Sequence, residues 1–112
     1  MATDKDFVDF IIGQIEGAGV IEYKKMFGEY MVYSDGKPVL LVCDNQVFVK
    51  MLPEVTELFG AEGRSPDKGV PYKGAKEHYI LDVEDSDFAV EMVRLLARIL
   101  PMPKKKKGLR PK

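Results

Sequence analysis

Residues 26 to 50 constrain the fold more strongly than any other part of this chain. They read MFGEYMVYSDGKPVLLVCDNQVFVK and alternate β-branched or aromatic runs with residues typical of turns. Asp35-Gly36 can supply the positive φ angles that a type I′ hairpin turn requires, and Asp44-Asn45-Gln46 turns the chain a second time. The segment therefore predicts three strands, at residues 30–34, 39–43 and 47–51, joined by short turns.

A helix is predicted before these strands, from residue 4 to residue 17. Thr3 is its expected N-cap, because an acidic residue follows three positions later and carboxylates favour the positive end of the helix dipole. A strand at 21–27 comes next, and Gly28 marks either a bulge or bend within one long strand or a tight break between two. The expected buried stripe of the helix recurs at three- and four-residue spacing and comprises Phe7, Phe10, Ile11, Gln14 or Ile15, and Ala18.

The second half of the chain predicts two helices around one strand. Pro53 is well placed to begin a short helix that reaches about residue 59 and has Gly60 as its cap. Residues 61–76 carry Gly or Pro at nearly every third position, which predicts a surface loop. A strand at 78–83 then leads to a final helix that is capped at residues 85–87 and ended by prolines.

The predicted order is α-β-β-β-(β)-α-β-α, and the connections are short. Such an order favours an α+β class in which an antiparallel sheet carries its helices on one face, as a two-layer domain. We expect residues 1–102 to form this domain and residues 103–112 to form a basic, disordered tail. Phe27, Tyr33 and Leu41 are expected to lie in its core.

The composition favours one small domain without a membrane span. The chain has 112 residues, 46% of them hydrophobic and 31% charged. No apolar run approaches the roughly 20 residues that cross a bilayer, and the start MATDKDF has no pattern of a signal peptide. Cys43 is the single cysteine, which suits a reducing compartment, so we expect a cytoplasmic location.

The charge is distributed unevenly along the chain. Without the last nine residues the chain has 11 basic and 18 acidic residues, a net charge of −7, which argues against a broad nucleic-acid-binding face on the domain. The tail could contact nucleic acid through phosphates without base selectivity, and the alternative is a tail that only solubilises. Its basic residues are Lys104, Lys105, Lys106, Lys107, Arg110 and Lys112.

The residues best suited to catalysis or metal binding have simpler structural interpretations. Cys43 ends an apolar run and is expected to be buried, and His78, the only histidine, has no partner placed by sequence to complete a triad. The acidic cluster at 82–87 could hold a hard cation, yet carboxylates are also favoured at the start of a helix. We therefore predict no catalytic residues, no metal and no cofactor.

Several residues remain as candidate contacts for an anion or a protein partner. Lys68 and Lys73, with Tyr72 between them for stacking, place two ammonium groups in one Gly-rich loop. Lys50 at the end of a strand either faces a partner or protects the sheet from edge-to-edge association. The complete set of candidate contacts is Lys50, Lys68, Tyr72, Lys73, His78 and Tyr79.

The motif set in the first half of the chain resembles the N-terminal domain of the TfoX/Sxy family, regulators of bacterial DNA-uptake competence. The matching elements are Met26-Phe27-Gly28, Tyr33, Asp35-Gly36, the apolar strand at 39–42, and Phe48-Val49-Lys50. The resemblance covers about residues 3 to 100 and implies a fold similar to type III secretion chaperones, with dimer formation as an expectation. It also implies aromatic residues at the positions of Tyr72 and Tyr79. Because the resemblance is to the N-terminal part alone, we expect no counterpart here of the C-terminal domain of the full-length regulators.

The resemblance implies a non-enzymatic regulatory or protein-interaction module. Full-length members are similar to coactivators that work with the cyclic-AMP receptor protein, so the implied partner is a protein of transcription-factor type. Two alternatives stay open. One is a small-ligand-binding or enzymatic domain that uses the loop at 61–76. The other is a dimeric, chaperone-like binder of extended peptides.

Overall fold

The computed structural model describes residues 3–26 and 29–101. It contains three α-helices, one 3₁₀ turn and six strands within these ranges, in the predicted order apart from one additional short strand. In chain order they are α1 (Lys5–Ile15), the 3₁₀ turn (Glu16–Ala18), β1 (Ile21–Met26), β2 (Glu29–Ser34), β3 (Lys37–Cys43), β4 (Gln46–Val49), α2 (Pro53–Ala61), β5 (Lys68–Gly69), β6 (His78–Ile80) and α3 (Ser86–Ile99).

The strands form one antiparallel sheet in the order β1-β2-β3-β4-β6-β5. The β2–β3 hairpin turns at Asp35 and Gly36, whose φ angles are 51° and 84°. The β3–β4 hairpin turns at Asp44 and Asn45, with φ angles of 52° and 57°. Positive φ at both central positions is the type I′ geometry, whose twist matches that of the flanking strands. Both predicted turns are therefore confirmed.

The strands on either side of residue 28 are two separate strands. β1 and β2 pair antiparallel, with Ile21 opposite Ser34 and Met26 opposite Glu29. A break between two strands, and not a bend within one, is therefore the correct alternative. Residues 27 and 28 themselves lie outside the described residues, and so does the core position expected for Phe27.

The hydrophobic core lies between one face of the sheet and the helices. Side chains alternate between the two faces of a strand, and every second residue of β2 and β4 is buried against the helix layer. In β3 the alternation is interrupted at Val39 and Leu40, which are both core residues, where the register with β2 shifts. The resulting core confirms the predicted two-layer α+β fold. Its fully buried members include Val8, Ile11 and Ile15 of α1, Val32, Leu40, Val42, Val47 and Val49 of the sheet, Val55 of α2, and Ala89, Met92, Val93 and Leu96 of α3.

The start of α1 differs from the prediction. Asp4 and not Thr3 is the N-cap residue, and it makes no side-chain capping bond. The hydroxyl of Thr3 instead donates to Glu29 Oε1 at 2.8 Å and accepts from the backbone N–H of Asn45 at 3.3 Å. Thr3 therefore ties the beginning of the helix to the sheet. Phe10, expected in the buried stripe, is 44% exposed.

The segment between α2 and β6 is more regular than predicted. Gly60 was expected to cap α2 but lies within it, and the chain leaves the helix through Gly63 at a φ of 68°. The predicted loop at 61–76 contains β5, which pairs with β6 as the edge strand of the sheet. The strand β6 ends at Ile80 and not at residue 83.

Tyr33 and Leu41 were expected in the core and are only half-buried. Their strand neighbours Val32 and Leu40 face the helices, so alternation directs Tyr33 and Leu41 to the opposite face of the sheet. The core assignment was therefore wrong for these two residues.

Among the described residues, no helix has the combined length and apolar character needed to cross a bilayer.

Candidate functional site

The face of the sheet opposite the helices carries a row of apolar side chains. Met31 of β2 is paired with Leu41 of β3, and Leu41 is paired with Phe48 of β4. These residues alternate with core residues along their strands, so the three side chains lie side by side on the helix-free face. Met31 and Leu41 are half-buried, whereas Phe48 is only 3% exposed although it is not part of the helix-facing core.

Phe48 is buried because the segment at 70–77 covers part of this face. The pairing of β5 with β6 places Gly69 opposite His78, and a Cβ atom on Gly69 would lie only 3.2 Å from Phe48 Cε1. Beyond β5, Pro71 is buried, and a turn is closed by a hydrogen bond from the N–H of Ala75 to the carbonyl of Tyr72 at 3.0 Å. The turn therefore forms a wall beside Phe48.

Two adjoining cavities lie along this face, and we refer to them together as the groove. The first has a volume of about 300 Å³ and the second about 550 Å³. Met31, Leu41 and Tyr72 line both cavities, so Tyr72 stands where the two meet. The second cavity is completed by Met26, Glu29 and Cys43. The first cavity is completed by Pro38, Val39 and Leu40 of β3 and by Phe48, Lys50, Ala75, Lys76 and His78.

The polar groups of the first cavity are basic or neutral. Lys50 and Lys76 are exposed and His78 is half-buried, and no Asp or Glu is among the residues that line this cavity. His78 Nδ1 lies 2.8 Å from the carbonyl oxygen of Lys76. A carbonyl oxygen only accepts, so Nδ1 carries the proton and Nε2 is left as the group available to a ligand. The imidazole ring meets the Phe48 ring edge-on, with centroids 6.4 Å apart.

Cys43 in the second cavity is poorly suited to nucleophilic chemistry. The residue is 1% exposed, and burial, followed by the charges of Glu29 and Asp44, raises the pKa of its thiol to about 11. The thiolate is the reactive form of cysteine, so the thiol is unreactive near neutral pH. Cys43 and His78 also line different cavities, so His78 is not placed to take a proton from the thiol.

The predicted contact residues divide between the two faces of the sheet. Lys50, Tyr72 and His78 line the groove. Tyr79 faces the helix layer, where its ring packs against Phe59 and its hydroxyl lies 2.8 Å from Thr56 Oγ1. Lys68 lies opposite Tyr79 in the β5–β6 pair, and neither Lys68 nor Lys73 is among the groove residues. The basic residues of the tail, 104–107, 110 and 112, lie outside the described residues.

Comparison with known proteins shows the family to which this chain belongs. The family model of the TfoX N-terminal domain matches residues 13–91, which include every strand and every groove residue. This chain belongs to the TfoX N-terminal domain family. A protein of Spirochaeta aurantia described as an uncharacterized 12.7 kDa protein in the trpE 5′ region is 35% identical over 110 residues. The match covers 96% of this chain and 92% of that protein.

In this TfoX N-terminal domain the acidic cluster at 82–87 stabilises local structure. Asp85 caps α3 by accepting from the N–H of Phe88 at 3.2 Å, and its carboxylate pairs with the guanidinium of Arg64. These two interactions, the backbone bond first, lower the pKa of Asp85. Asp82 accepts from the N–H of Glu84 at 3.0 Å. Within residues 3–26 and 29–101, no three His, Cys, Asp or Glu side chains are grouped as they would be around a metal ion.

Sequence reasoning missed several groove residues of the family domain, among them Met31, Phe48 and Lys76. The signal was present in the strand at residues 39–43, which is apolar at successive positions. A strand that is apolar on both sides is expected to be covered on both faces of the sheet. Among the described residues, the helices cover one face and only the turn around Tyr72 covers the other, which leaves the groove open.

Proposed function

We propose that this TfoX N-terminal domain is a non-enzymatic regulatory module that binds a protein partner through the groove. The observation that carries this proposal is the apolar row of Met31, Leu41 and Phe48 on a sheet face that no described helix covers. Met31 and Leu41 are still half-exposed, and removing such apolar surface from water by binding a partner is favourable in free energy.

The composition of the groove supports recognition over catalysis. Tyr72 is 59% exposed and Met26 is 38% exposed at the groove. Aromatic residues and Met are enriched at the centres of protein interfaces, because they bury a large area and adapt their shape. Lys50 and Lys76 flank this apolar centre and favour a partner segment that combines apolar and acidic side chains. The raised pKa of the Cys43 thiol and the separation of Cys43 from His78 argue against these two residues acting as a nucleophile and its base.

Family membership supports a regulatory role, in which the partner is of transcription-factor type. The proposal extends to a location in the cytoplasm, where such a partner would be met. A second copy of the chain is the alternative occupant of the groove, and the basic tail is an additional candidate for contact with nucleic acid.

Affinity capture with matched variants tests the proposal. The tagged wild-type chain would be compared with Met26→Glu and Tyr72→Glu, which place a carboxylate in the groove. Phe10→Glu and Val20→Glu are the controls, since both residues are exposed and apolar but lie outside the groove. Each capture would be run from lysate of the source bacterium, with and without nuclease. Circular dichroism would establish that all variants are folded.

The expected result is one protein that wild type and both controls retain after nuclease treatment and that both groove variants lose. The purified pair would then be measured by calorimetry, and a charge at the centre of an interface should weaken binding by at least about tenfold. Equal capture by wild type and the groove variants would show that the groove is not the binding surface. Capture with a chain that ends at residue 102 distinguishes binding through the tail from binding through the groove. Sedimentation of the purified chain at several concentrations tests whether the chain forms a dimer.

A further inference from the structure

The first cavity of the groove has a charge unlike that of the rest of the domain. Without the tail the chain has 11 basic and 18 acidic residues, and yet the cavity is lined by Lys50, Lys76 and His78 with no carboxylate. A pocket of one sign on a body of the other sign concentrates ligands of the body's own charge. The charges that line the cavity therefore favour an anionic ligand over a cationic one.

The basic groups of this cavity are available to a ligand. Neither the Lys50 nor the Lys76 ammonium forms a hydrogen bond or ion pair within the part of the chain that the structure describes. His78 is held by its bond to the Lys76 carbonyl, which leaves Nε2 free. That bond orients the imidazole relative to the backbone of Lys76.

The floor and wall of the cavity are apolar. Met31, Leu41 and Phe48 form the floor, and Tyr72 with Ala75 forms the wall. Small-molecule pockets commonly have this composition, in which apolar and aromatic side chains surround a few polar groups that orient the ligand. The volume of about 300 Å³ lies at the small end of the range for such pockets.

We infer that this cavity binds a small amphipathic carboxylate. Its aromatic or branched apolar body lies on Leu41 and Phe48 beside Tyr72, and its carboxylate meets the ammonium groups of Lys50 and Lys76. The charge-assisted bonds to the carboxylate give orientation, and burial of the apolar body gives affinity. This site goes beyond the proposed protein partner, because it is complete in the isolated chain.

A ligand in this site would affect binding of a protein partner to the groove. Tyr72 lines both cavities, so a molecule bound in the first cavity contacts a side chain that belongs to the second. Binding of the carboxylate and of a protein partner through the groove would then compete for Tyr72.

Titration of the purified full chain by two-dimensional amide NMR tests the inference. The probes are phenylpropanoate, its neutral analogue phenylpropanamide and its cationic analogue phenylpropylamine, which share one apolar body. We expect phenylpropanoate to shift the amide signals of Leu41, Phe48 and His78 in a saturable way. The neutral and cationic probes should bind at least about tenfold more weakly, because each lacks the charge-assisted bonds.

Two double variants with the same change in charge provide the matched control. Lys50→Gln with Lys76→Gln should weaken binding of phenylpropanoate by about tenfold or more. Lys68→Gln with Lys73→Gln removes the same charge from residues that do not line the cavity, and it should leave the affinity unchanged. All four lysines are exposed, so the variants are expected to fold.

Three outcomes would overturn the site. They are no saturable shift at these residues at millimolar phenylpropanoate, equal affinity for the three probes, or equal losses in the two double variants. None of them bears on protein capture, which uses no small ligand. A failed capture likewise leaves the NMR result unaffected, so the two proposals are tested separately.

Discussion

His78 and Tyr79 are neighbours in the chain and lie on opposite faces of the sheet. The His78 ring meets Phe48 in the groove, whereas the Tyr79 ring packs against Phe59 of α2, with centroids 5.3 Å apart. One residue step along β6 therefore separates a residue that lines the groove from one that packs between the sheet and α2. In β3, a step of one residue likewise separates Leu40, which is buried in the core, from Leu41, which lines the groove.

The pair Leu40 and Leu41 gives a direct test of the two faces. Leu40 is 1% exposed within the core, so Leu40→Ala should lower the free energy of unfolding by about 2–5 kcal/mol. Leu41 is half-buried in the groove, and Leu41→Ala should lower it by only about 1 kcal/mol. Equilibrium unfolding in urea measures both values. Equal losses would show that the two faces are assigned incorrectly.

The stability of the domain should fall in acid partly through Asp85. Its pKa in the folded state is lower than the ordinary value of 3.8, because the carboxylate accepts from the Phe88 N–H and pairs with Arg64. The ionised form therefore stabilises the fold fully above that pH, and this contribution is lost as the pH falls through the lowered pKa.

Asp85→Asn should accordingly flatten the decline in stability below about pH 4. Urea unfolding at a series of pH values measures the slope. Glu91→Gln, an exposed substitution in the same helix, is the control and should keep the wild-type slope. If the free energy of unfolding declines equally below about pH 4 in Asp85→Asn and in wild type, this role of the carboxylate is ruled out.

Cys43 should react slowly in the native protein. With its thiol pKa raised from 9.0 to about 11, the thiolate fraction near neutral pH is about 100-fold lower than in an unperturbed thiol. Burial of the side chain slows access further. Absorbance after addition of an aromatic disulfide reagent measures the rate, and denatured protein is the reference. Comparable rates in the two states would indicate an accessible thiolate.

Two glycines should respond in opposite directions to substitution by alanine. Gly13 lies within α1, and a methyl group at this position would meet nothing outside its own helical turns within 4 Å, so Gly13→Ala should stabilise the protein by about 0.5–1 kcal/mol. Gly74 has equal space but a φ of +89°, and Gly74→Ala should destabilise by about 1 kcal/mol or more. The shift of the thermal unfolding midpoint shows whether each substitution stabilises or destabilises the protein. A higher midpoint for Gly74→Ala would contradict the backbone geometry of the turn.

Local chemistry accounts for the parts of the fold that sequence reasoning predicted correctly. The hairpins at Asp35-Gly36 and Asp44-Asn45 depend on residues that tolerate positive φ, and the cap at Asp85 depends on a side chain three positions from its N–H partner. Such interactions span a few residues and can be recognised without knowing the rest of the structure. Thr3 shows the opposite case, because it has the residue type of a cap but bonds to Glu29, which is distant in the chain.

The sequence by itself determined the order of the elements, the alternation of side chains along the strands and membership of the TfoX N-terminal domain family. Only the tertiary structure decided which side of the sheet the helices cover and where the turn around Tyr72 lies. Alternation separates Leu40 from Leu41 but assigns neither to the core, because both are leucine and the choice depends on packing of distant segments. The tertiary structure also decides that Lys50 lines the same cavity as Lys76 and His78, because the pairing of β4 with β6 brings these distant parts of the chain together.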